Sequence, residues 1–215
     1  MRYIAGIDSG SAFTKAVIIH EGSGSQPPVV RGRAIVRTGV NMDESARRAL
    51  EAATEDAQLR PEDVTYVAAT GFGRYGISFR DIQITEITSG ARGAHYLHPE
   101  PALLLDIGSQ STRAIALRDN GRVRSFKTND KCAAGSGSFI QRAAKYLQVD
   151  ITEVGQMALT SQNPQPPRGR TALPQRTASR AARPIRQPQR CRMLLRFSLV
   201  PGAFLSFEGY RPANK

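Results

Sequence analysis

The stretch DSGSAFTKAVII occupies residues 8–19, and DIGSQSTRAIAL occupies residues 106–117. The two stretches align without a gap: Asp, Gly, Ser, Thr and Ala coincide, and a basic residue, Lys15 or Arg113, follows the threonine in each. An apolar run precedes the aspartate in both copies, and a second, largely β-branched or apolar run ends the stretch, which is typical of two strands joined by a turn. The chain is therefore predicted to contain a repeated strand–turn–strand unit.

The shared turn sequence, Asp-x-Gly-Ser, indicates phosphate chemistry. Glycine permits a tight turn and a close approach of the backbone. The serine and the backbone N–H groups can hold phosphate oxygens, and the aspartate can hold a hydrated magnesium ion. A single Asp-x-Gly-Ser turn would be interpreted more readily as an ordinary hairpin than as a phosphate-binding loop. Two in register favour a pair of loops that face one another and grip a nucleoside triphosphate.

Outward from the repeat, strand-like and helix-like segments alternate. Five apolar residues at helical spacing predict a helix over 43–59 that stops at Pro61, and 64–70 and 102–108 are strand-like. A hairpin turn is predicted at Asn120-Gly121, an amphipathic helix follows it, and Asp150 and Glu153 resemble a capping box for a last short helix. The order predicts an α/β fold that begins again at the second copy of the repeat. The apolar residues at helical spacing are Ala46, Ala49, Leu50, Ala53 and Ala57 in the first predicted helix, and Phe139, Ile140, Ala143, Ala144 and Leu147 in the amphipathic helix after the hairpin.

The net charge of +12 is concentrated at one end of the chain. Residues 1–160 carry 19 basic and 17 acidic side chains, whereas residues 161–215 carry 11 basic side chains, ten of them arginine, and one acidic side chain. The same terminal segment holds eight of the 13 prolines, and 164–190 has neither helical nor strand periodicity. The charge therefore says little about the function of the first 160 residues. No apolar run reaches the roughly 18 residues of a membrane span, and the N-terminus does not resemble a signal peptide, which predicts a cytoplasmic protein without membrane contact.

Cys132 lies in a glycine-rich loop, NDKCAAGSGSF, that opens the amphipathic helix. A helix N-terminus favours a thiolate, although a lone cysteine is by default a small buried apolar residue. A symmetric dimer could double the number of thiolates. The chain's three histidines, His20, His95 and His98, show no ligand spacing and are predicted to lie at the surface or in turns.

The two repeats, together with TGFGR, EITSGARGAHYL and FKTNDKCAAGSGSFI, resemble the activator (ATPase) family of 2-hydroxyacyl-CoA dehydratases and the related ATPase subunits of benzoyl-CoA reductase. The resemblance covers residues 1 to about 167. It implies an actin/hexokinase-type ATPase fold with ribonuclease H-like lobes, and ATP bound between them. It also implies a [4Fe-4S] cluster at a homodimer or paired-subunit interface. ATP hydrolysis would drive low-potential electron transfer, with ferredoxin or flavodoxin as electron donor and a CoA-ester dehydratase or reductase as partner.

Carried over by position, the resemblance implies Mg²⁺ at Asp8 and Asp106. It places the first phosphate loop at Gly10, Ser11 and Lys15, and the second at Gly108, Ser109 and Gln110. Cys132 would be a cluster ligand. Glu86 would line the nucleotide cleft, although a solvated charge at a strand end is an equally good interpretation of that residue.

The resemblance stops near residue 167, before the family's second cluster cysteine and its adenosine loop. A cubane cluster takes four thiolates, and two copies of Cys132 supply two, so Cys191 would have to complete the set. We expect the first lobe at 1–100, the start of the second lobe at 101–163, and a disordered or out-of-frame Arg/Pro-rich tail at 164–215. The chain would then be a truncated or frameshifted family member. The alternatives are a cluster-free, kinase-like ATP-binding relative and, less favoured, a protein whose basic tail binds nucleic acid or an anionic surface.

Overall fold

The computed structural model describes residues 2–22, 27–100, 103–131, 136–160 and 162, together with the backbone of two strands at 193–197 and 204–207. Ten strands and four α-helices lie in these ranges, and the chain divides into two units, 1–89 and 90–215, each of which is described by itself. The strands are β1 (Tyr3–Ser9), β2 (Phe13–His20), β3 (Val29–Arg37), β4 (Val64–Thr70), β5 (Ile82–Gln83), β6 (Leu103–Ile107), β7 (Thr112–Leu117), β8 (Val123–Asn129), β9 (Met193–Phe197) and β10 (Phe204–Phe207). The helices are α1 (Met42–Asp56), α2 (Glu86–Leu97), α3 (Gly137–Leu147) and α4 (Val154–Thr160).

The first sheet has the strand order β3-β2-β1-β4-β5. β1 pairs antiparallel with β2 and parallel with β4, so the repeated strand–turn–strand unit lies at its centre. The second sheet has the order β10-β9-β6-β7-β8, in which β6 pairs antiparallel with β7 and parallel with β9. β9 therefore lies beside β6 as β4 lies beside β1. The mixed α/β fold that the sequence predicted is confirmed.

Helix α1 forms the core of the first unit by covering one face of the first sheet. Four of the five predicted residues, Ala46, Ala49, Leu50 and Ala53, are buried, whereas the fifth, Ala57, is the C-cap and only partly buried. The helix also buries Ser45 and Thr54, which the spacing did not predict, and its apolar side chains meet alternate side chains of β1, β2 and β4. Small side chains bring the helix close to the sheet: a Cβ added to Gly32 of β3 would lie 2.3 Å from the carbonyl oxygen of Ala53. The side chain of Asn41 accepts hydrogen bonds from the N–H groups of Asp43 and Glu44 and so caps the helix N-terminus.

The hairpin between β7 and β8 turns at Asn120-Gly121, as predicted. The N–H of Gly121 donates to the carbonyl of Arg118, and the N–H of Arg118 donates to the carbonyl of Arg122, so three residues lie between the two residues whose hydrogen bond closes the turn. Gly121 has a φ of 70°, which a glycine adopts without strain. Its lack of a side chain also leaves room for His95 of α2, whose ring would otherwise lie 2.5 Å from a Cβ.

Three details differ from the expectations. The capping box forms only in part: Glu153 accepts from the N–H of Asp150, while the Asp150 carboxylate binds Thr152, and α4 begins at Val154. The two-residue strand β5 had no signal in the sequence. The tail was expected to hold no regular structure, whereas β9 and β10 lie within it. No helix in the described ranges has the length and apolar character needed to cross a bilayer.

Candidate functional site: two equivalent phosphate loops

The first loop joins β1 to β2 and turns at Gly10. The N–H of Gly10 donates to the carbonyls of Asp8 and Phe13, at 3.2 and 3.1 Å. A Cβ on Gly10 would lie 2.7 Å from the carbonyl oxygen of Phe13, closer than a side chain can approach. The turn therefore requires glycine at this position, and it leaves Ser11 and Ala12 at its tip.

Asp8 and Lys15 face each other across this hairpin. They are register partners in the antiparallel pair, and Lys15 Nζ lies 3.1 Å from Asp8 Oδ2. Both side chains are partly open to solvent, with exposed fractions of 22% for Lys15 and 25% for Asp8. The ion pair thus holds a carboxylate and an ammonium group together beside the loop.

Residues from two other segments support the first loop from behind. The Thr38 hydroxyl donates to the carbonyl of Gly10, at 2.8 Å, and the N–H of Gly73 donates to the carbonyl of Ser9, also at 2.8 Å. Gly71 has a φ of +90°, and a Cβ there would lie 2.5 Å from the Ser9 carbonyl oxygen. The Ser9 hydroxyl beneath this contact is buried and has no hydrogen-bond partner among the described residues. The β4 end is therefore packed tightly on the loop.

The second loop repeats the geometry of the first. The N–H of Gly108 donates to the carbonyl of Ser111 at 2.8 Å, as Gly10 donates to the equivalent residue of the first loop. Asp106 and Arg113 are register partners, with Arg113 Nη1 3.2 Å from Asp106 Oδ2. This pair is more buried than its counterpart: the exposed fractions are 14% for Arg113 and 9% for Asp106. The sequence repeat is thus also a repeat of hydrogen bonds and ion pairs.

The second loop is supported by the start of α3. The N–H of Gly137 donates to the carbonyl of Gly108 at 2.8 Å, and the N–H of Ser138 donates to the carbonyl of Ser109 at 2.9 Å. The hydroxyls of Ser109 and Ser138 lie 2.8 Å apart. The first turn of α3 therefore holds two consecutive carbonyls of this loop.

Each loop tip offers two successive backbone N–H groups. Those of Ser11 and Ala12, and those of Ser109 and Gln110, donate no hydrogen bond within the described part of the chain. Consecutive backbone N–H groups in a turn form a concave site for an anion. A carboxylate lies at the base of each loop, and Mg²⁺ bound with phosphates uses one or two carboxylates and several waters. The donor set of both loops therefore fits a magnesium-bound polyphosphate.

The remaining predicted residues lie on other elements or outside the described ranges. Glu86 is the first residue of α2 and is half-buried. Cys132 and Cys191 lie outside the described residues. His20 lies beside the Tyr3 ring, and His98 is exposed. In the parts of the chain that the structure describes, no three His, Cys, Asp or Glu side chains form a metal-binding group.

The sequence did not reveal Thr38, Gly71, Gly73 or Ser138 as parts of the loop structure. These residues belong to the loops through contacts between segments that are distant in the sequence. TGFGR is one of the segments that carry the family resemblance, and its two glycines, Gly71 and Gly73, pack on Ser9. A glycine motif directly after a predicted strand was the signal that could have placed β4 against the first loop.

The sheet topology and the paired Asp–Gly loops define the class of protein: the chain has the actin/hexokinase-type ATPase fold. A solved structure, the activator of the 2-hydroxyisocaproyl-CoA dehydratase from Clostridium difficile with bound ADPNP, superposes with a TM-score of 0.66 at 36% identity. The superposition covers 76% of this chain and 59% of that one.

The chain belongs to the BadF/BadG/BcrA/BcrD ATPase family, whose sequence profile matches residues 5–194. That match extends past residue 167, where the resemblance was expected to end. Similar proteins include the activator of lactoyl-CoA dehydratase from Anaerotignum propionicum, 39% identical over 155 residues, and a subunit of the benzoyl-CoA reductase from Thauera aromatica, 36% identical over 167 residues. These alignments cover 72% and 77% of the chain but 58% of each relative, so the chain spans little more than half of their length.

Proposed function

We propose that the chain is the ATP-binding part of an activator that couples ATP hydrolysis to low-potential electron transfer towards a 2-hydroxyacyl-CoA dehydratase or a benzoyl-CoA reductase. The observation that carries the proposal is the repeated loop, in which a carboxylate, a turn closed by the glycine N–H, and two N–H groups that donate no hydrogen bond within the described residues recur. The family membership and the names of the relatives give the reaction class.

Each loop residue has a distinct role in this proposal. Asp8 and Asp106 would hold Mg²⁺ through water, and the backbone N–H groups at residues 11–12 and 109–110 would bind phosphate oxygens. Gly10 and Gly108 keep the turns open, and the side chains of Ser11, Lys15, Ser109 and Gln110 line them. Glu86 would act at the nucleotide as a further carboxylate. The magnesium ion neutralises phosphate charge when bound, and the residues of this chain orient the phosphates.

The proposed electron transfer requires a [4Fe-4S] cluster, with Cys132 as one ligand. Four thiolates bind such a cluster, so two copies of the chain, or this chain and a homologous subunit, would have to supply Cys132 and Cys191 together. A ferredoxin or flavodoxin would be the electron donor, and a CoA-ester dehydratase or reductase the recipient. The proposal places the chain in the cytoplasm, with a first lobe at 1–100, the beginning of a second lobe at 101–163, and the basic tail after it.

The first experiment is equilibrium binding of Mg·ATP to the full chain. We expect Asp8→Asn and Asp106→Asn to weaken binding by about tenfold or more, which corresponds to about 1.4 kcal/mol. Asp119→Asn is the matched control, because Asp119 is exposed in the β7–β8 turn away from the loop tip. Equal affinity of all three variants and the wild type would contradict the assignment of the loops.

The second experiment tests the electron-transfer part. Protein purified anaerobically is expected to contain iron and sulfide and to show the visible absorption of an iron–sulfur cluster, and Cys132→Ser is expected to abolish both. A chain that binds Mg·ATP but contains no iron would support the cluster-free, kinase-like alternative instead. Loss of binding to RNA at high salt, without Mg·ATP binding, would support the basic-tail alternative.

A further inference from the structure

Thr38 follows β3 directly and makes three hydrogen bonds with the first hairpin. Its hydroxyl donates to the carbonyl of Gly10 at 2.8 Å, and its backbone N–H donates to the carbonyl of Ala12 at 3.1 Å. Its hydroxyl oxygen also lies 2.9 Å from the hydroxyl oxygen of the buried Thr14. One residue thus contacts two carbonyls of the loop tip and the strand that leaves it.

The directions of these bonds follow from the number of available protons. A threonine hydroxyl has one proton and two acceptor lone pairs, and a carbonyl can only accept. Because the proton of Thr38 is given to Gly10, the hydroxyl of Thr14 must be the donor in the Thr14–Thr38 pair. The three groups therefore form one directed chain, from Thr14 to Thr38 to the carbonyl of Gly10.

This chain of hydrogen bonds fixes the orientation of the Gly10–Ser11 peptide. The peptide is planar and trans, so its N–H points opposite to its carbonyl. Since the carbonyl of Gly10 points to Thr38, the N–H of Ser11 points away from Thr38. It donates no hydrogen bond within the described ranges. The Thr38 hydroxyl thus determines the direction of the Ser11 N–H, which we propose binds a phosphate oxygen.

The second loop has an equivalent support, built from different atoms. There the N–H of Gly137, the first residue of α3, donates to the carbonyl of Gly108, which corresponds to the carbonyl of Gly10. The same carbonyl is held in both copies, by a side-chain hydroxyl in one and by a backbone N–H in the other. Because a side-chain hydroxyl holds the carbonyl of Gly10, this hydrogen bond can be removed by substitution.

We propose that Thr38 is a positioning residue of the first phosphate loop: its hydroxyl holds the Gly10–Ser11 peptide so that the Ser11 N–H is presented to a phosphate oxygen of Mg·ATP. The proposal rests on the proposed phosphate-binding function of that loop. It concerns orientation, and Thr38 itself does not touch the nucleotide.

The test uses two substitutions at Thr38 and one matched control in the full chain. Thr38→Val keeps the branched shape and removes the hydroxyl, whereas Thr38→Ser keeps the hydroxyl. Thr65→Val is the control, because the Thr65 hydroxyl also donates to a backbone carbonyl of the first sheet, that of Tyr3, at the opposite end of β1. Mg·ATP affinity is measured for each, together with hydrogen exchange of the Gly10 amide, which donates to the carbonyls of Asp8 and Phe13 within the loop.

We expect Thr38→Val to weaken Mg·ATP binding about tenfold and to speed exchange of the Gly10 amide, with Thr38→Ser within about threefold of wild type and Thr65→Val unchanged. Equal binding by Thr38→Val and wild type, or equal losses in Thr38→Val and Thr38→Ser, would overturn the proposal. If the wild-type chain binds no Mg·ATP, the proposed function fails. Exchange then decides the role of Thr38: faster exchange in Thr38→Val alone upholds it, and equal exchange overturns it.

Discussion

Replacing Gly71 with alanine tests how tightly the end of β4 is packed on the first loop. Gly71 has a φ of +90°, and an added Cβ would lie 2.5 Å from the Ser9 carbonyl oxygen and 2.6 Å from Asp8 Oδ1. A side chain in this left-handed region costs about 1–2 kcal/mol. Forcing a methyl group against packed backbone costs about 1–3 kcal/mol more. We therefore expect Gly71→Ala to lower the free energy of unfolding of the first unit by about 2–5 kcal/mol.

Gly76→Ala is the matched control for this substitution. Gly76 lies five residues further along the chain, has no positive φ, and a Cβ there would lie 3.8 Å from its nearest neighbour, Met42 Cβ. Alanine at such a site restricts the unfolded chain and stabilises a protein by about 0.4–1 kcal/mol. The two glycine-to-alanine changes are therefore expected to have opposite signs.

Urea unfolding followed by far-ultraviolet circular dichroism measures both variants. Hydrogen exchange of peptides from β1 and β4 assigns the change to the first unit, because these strands pair with each other. A Gly71→Ala variant within about 0.5 kcal/mol of wild type, the range typical of inconsequential surface changes, would refute the reasoning. So would a loss confined to peptides of the second unit.

Three further predictions concern the ion pairs, pH and the core. Arg113→Met removes the cation from the more buried of the two Asp–cation pairs and should therefore destabilise the chain more in urea unfolding than Lys15→Met, at the more open pair, which should cost at most about 1 kcal/mol; equal losses would contradict this contrast. The pKa of Asp43 is lowered in the folded protein, and the hydrogen bond from the Ser78 N–H makes the largest contribution to that shift. The ionised Asp43 therefore stabilises the fold at pH values above the ordinary aspartate pKa of about 4, and this stabilisation is lost as the pH falls through the lowered pKa of the folded state. The urea unfolding midpoint should therefore fall less steeply on acidification in Asp43→Asn than in wild type. Identical pH profiles of the midpoint would contradict this role of Asp43. Ile18→Ala removes a fully buried side chain and should lower the free energy of unfolding by about 2–5 kcal/mol, whereas Ile35→Ala, at a residue that is 41% exposed, should lower it by less than about 1 kcal/mol. Similar losses for the two variants in urea unfolding would contradict the assignment of Ile18 to the core.

The periodic parts of the fold could be predicted from the sequence because their signals are local. Four of the residues that α1 buries, among them Ala46 and Ala53, are those whose helical spacing predicted a core face. The apolar strands β1 and β6 each end one residue after the aspartate of the repeat, and the hairpin turn at Asn120-Gly121 followed from its dipeptide. Each of these predictions depends on residues within one element or one turn.

The supports of the loops could not be predicted, because they depend on which distant segments meet. The Thr38–Gly10 hydrogen bond joins residues 28 positions apart and exists only because β3 pairs with β2 in one register. The requirement for glycine at residue 71 arises from Ser9, which lies on a parallel neighbour strand. The two-residue β5 is too short for a period of two to be recognised.

The unequal burial of the two Asp–cation pairs gives the two halves of the repeat different responses to ionic strength. Dissolved ions screen charges that face the solvent and act weakly on those inside the protein. Added salt therefore weakens the attraction between Asp8 and Lys15 and leaves that between Asp106 and Arg113 nearly intact. The two copies of the hairpin therefore contain one ion pair whose strength depends on the salt concentration of the solution and one whose strength depends on it little.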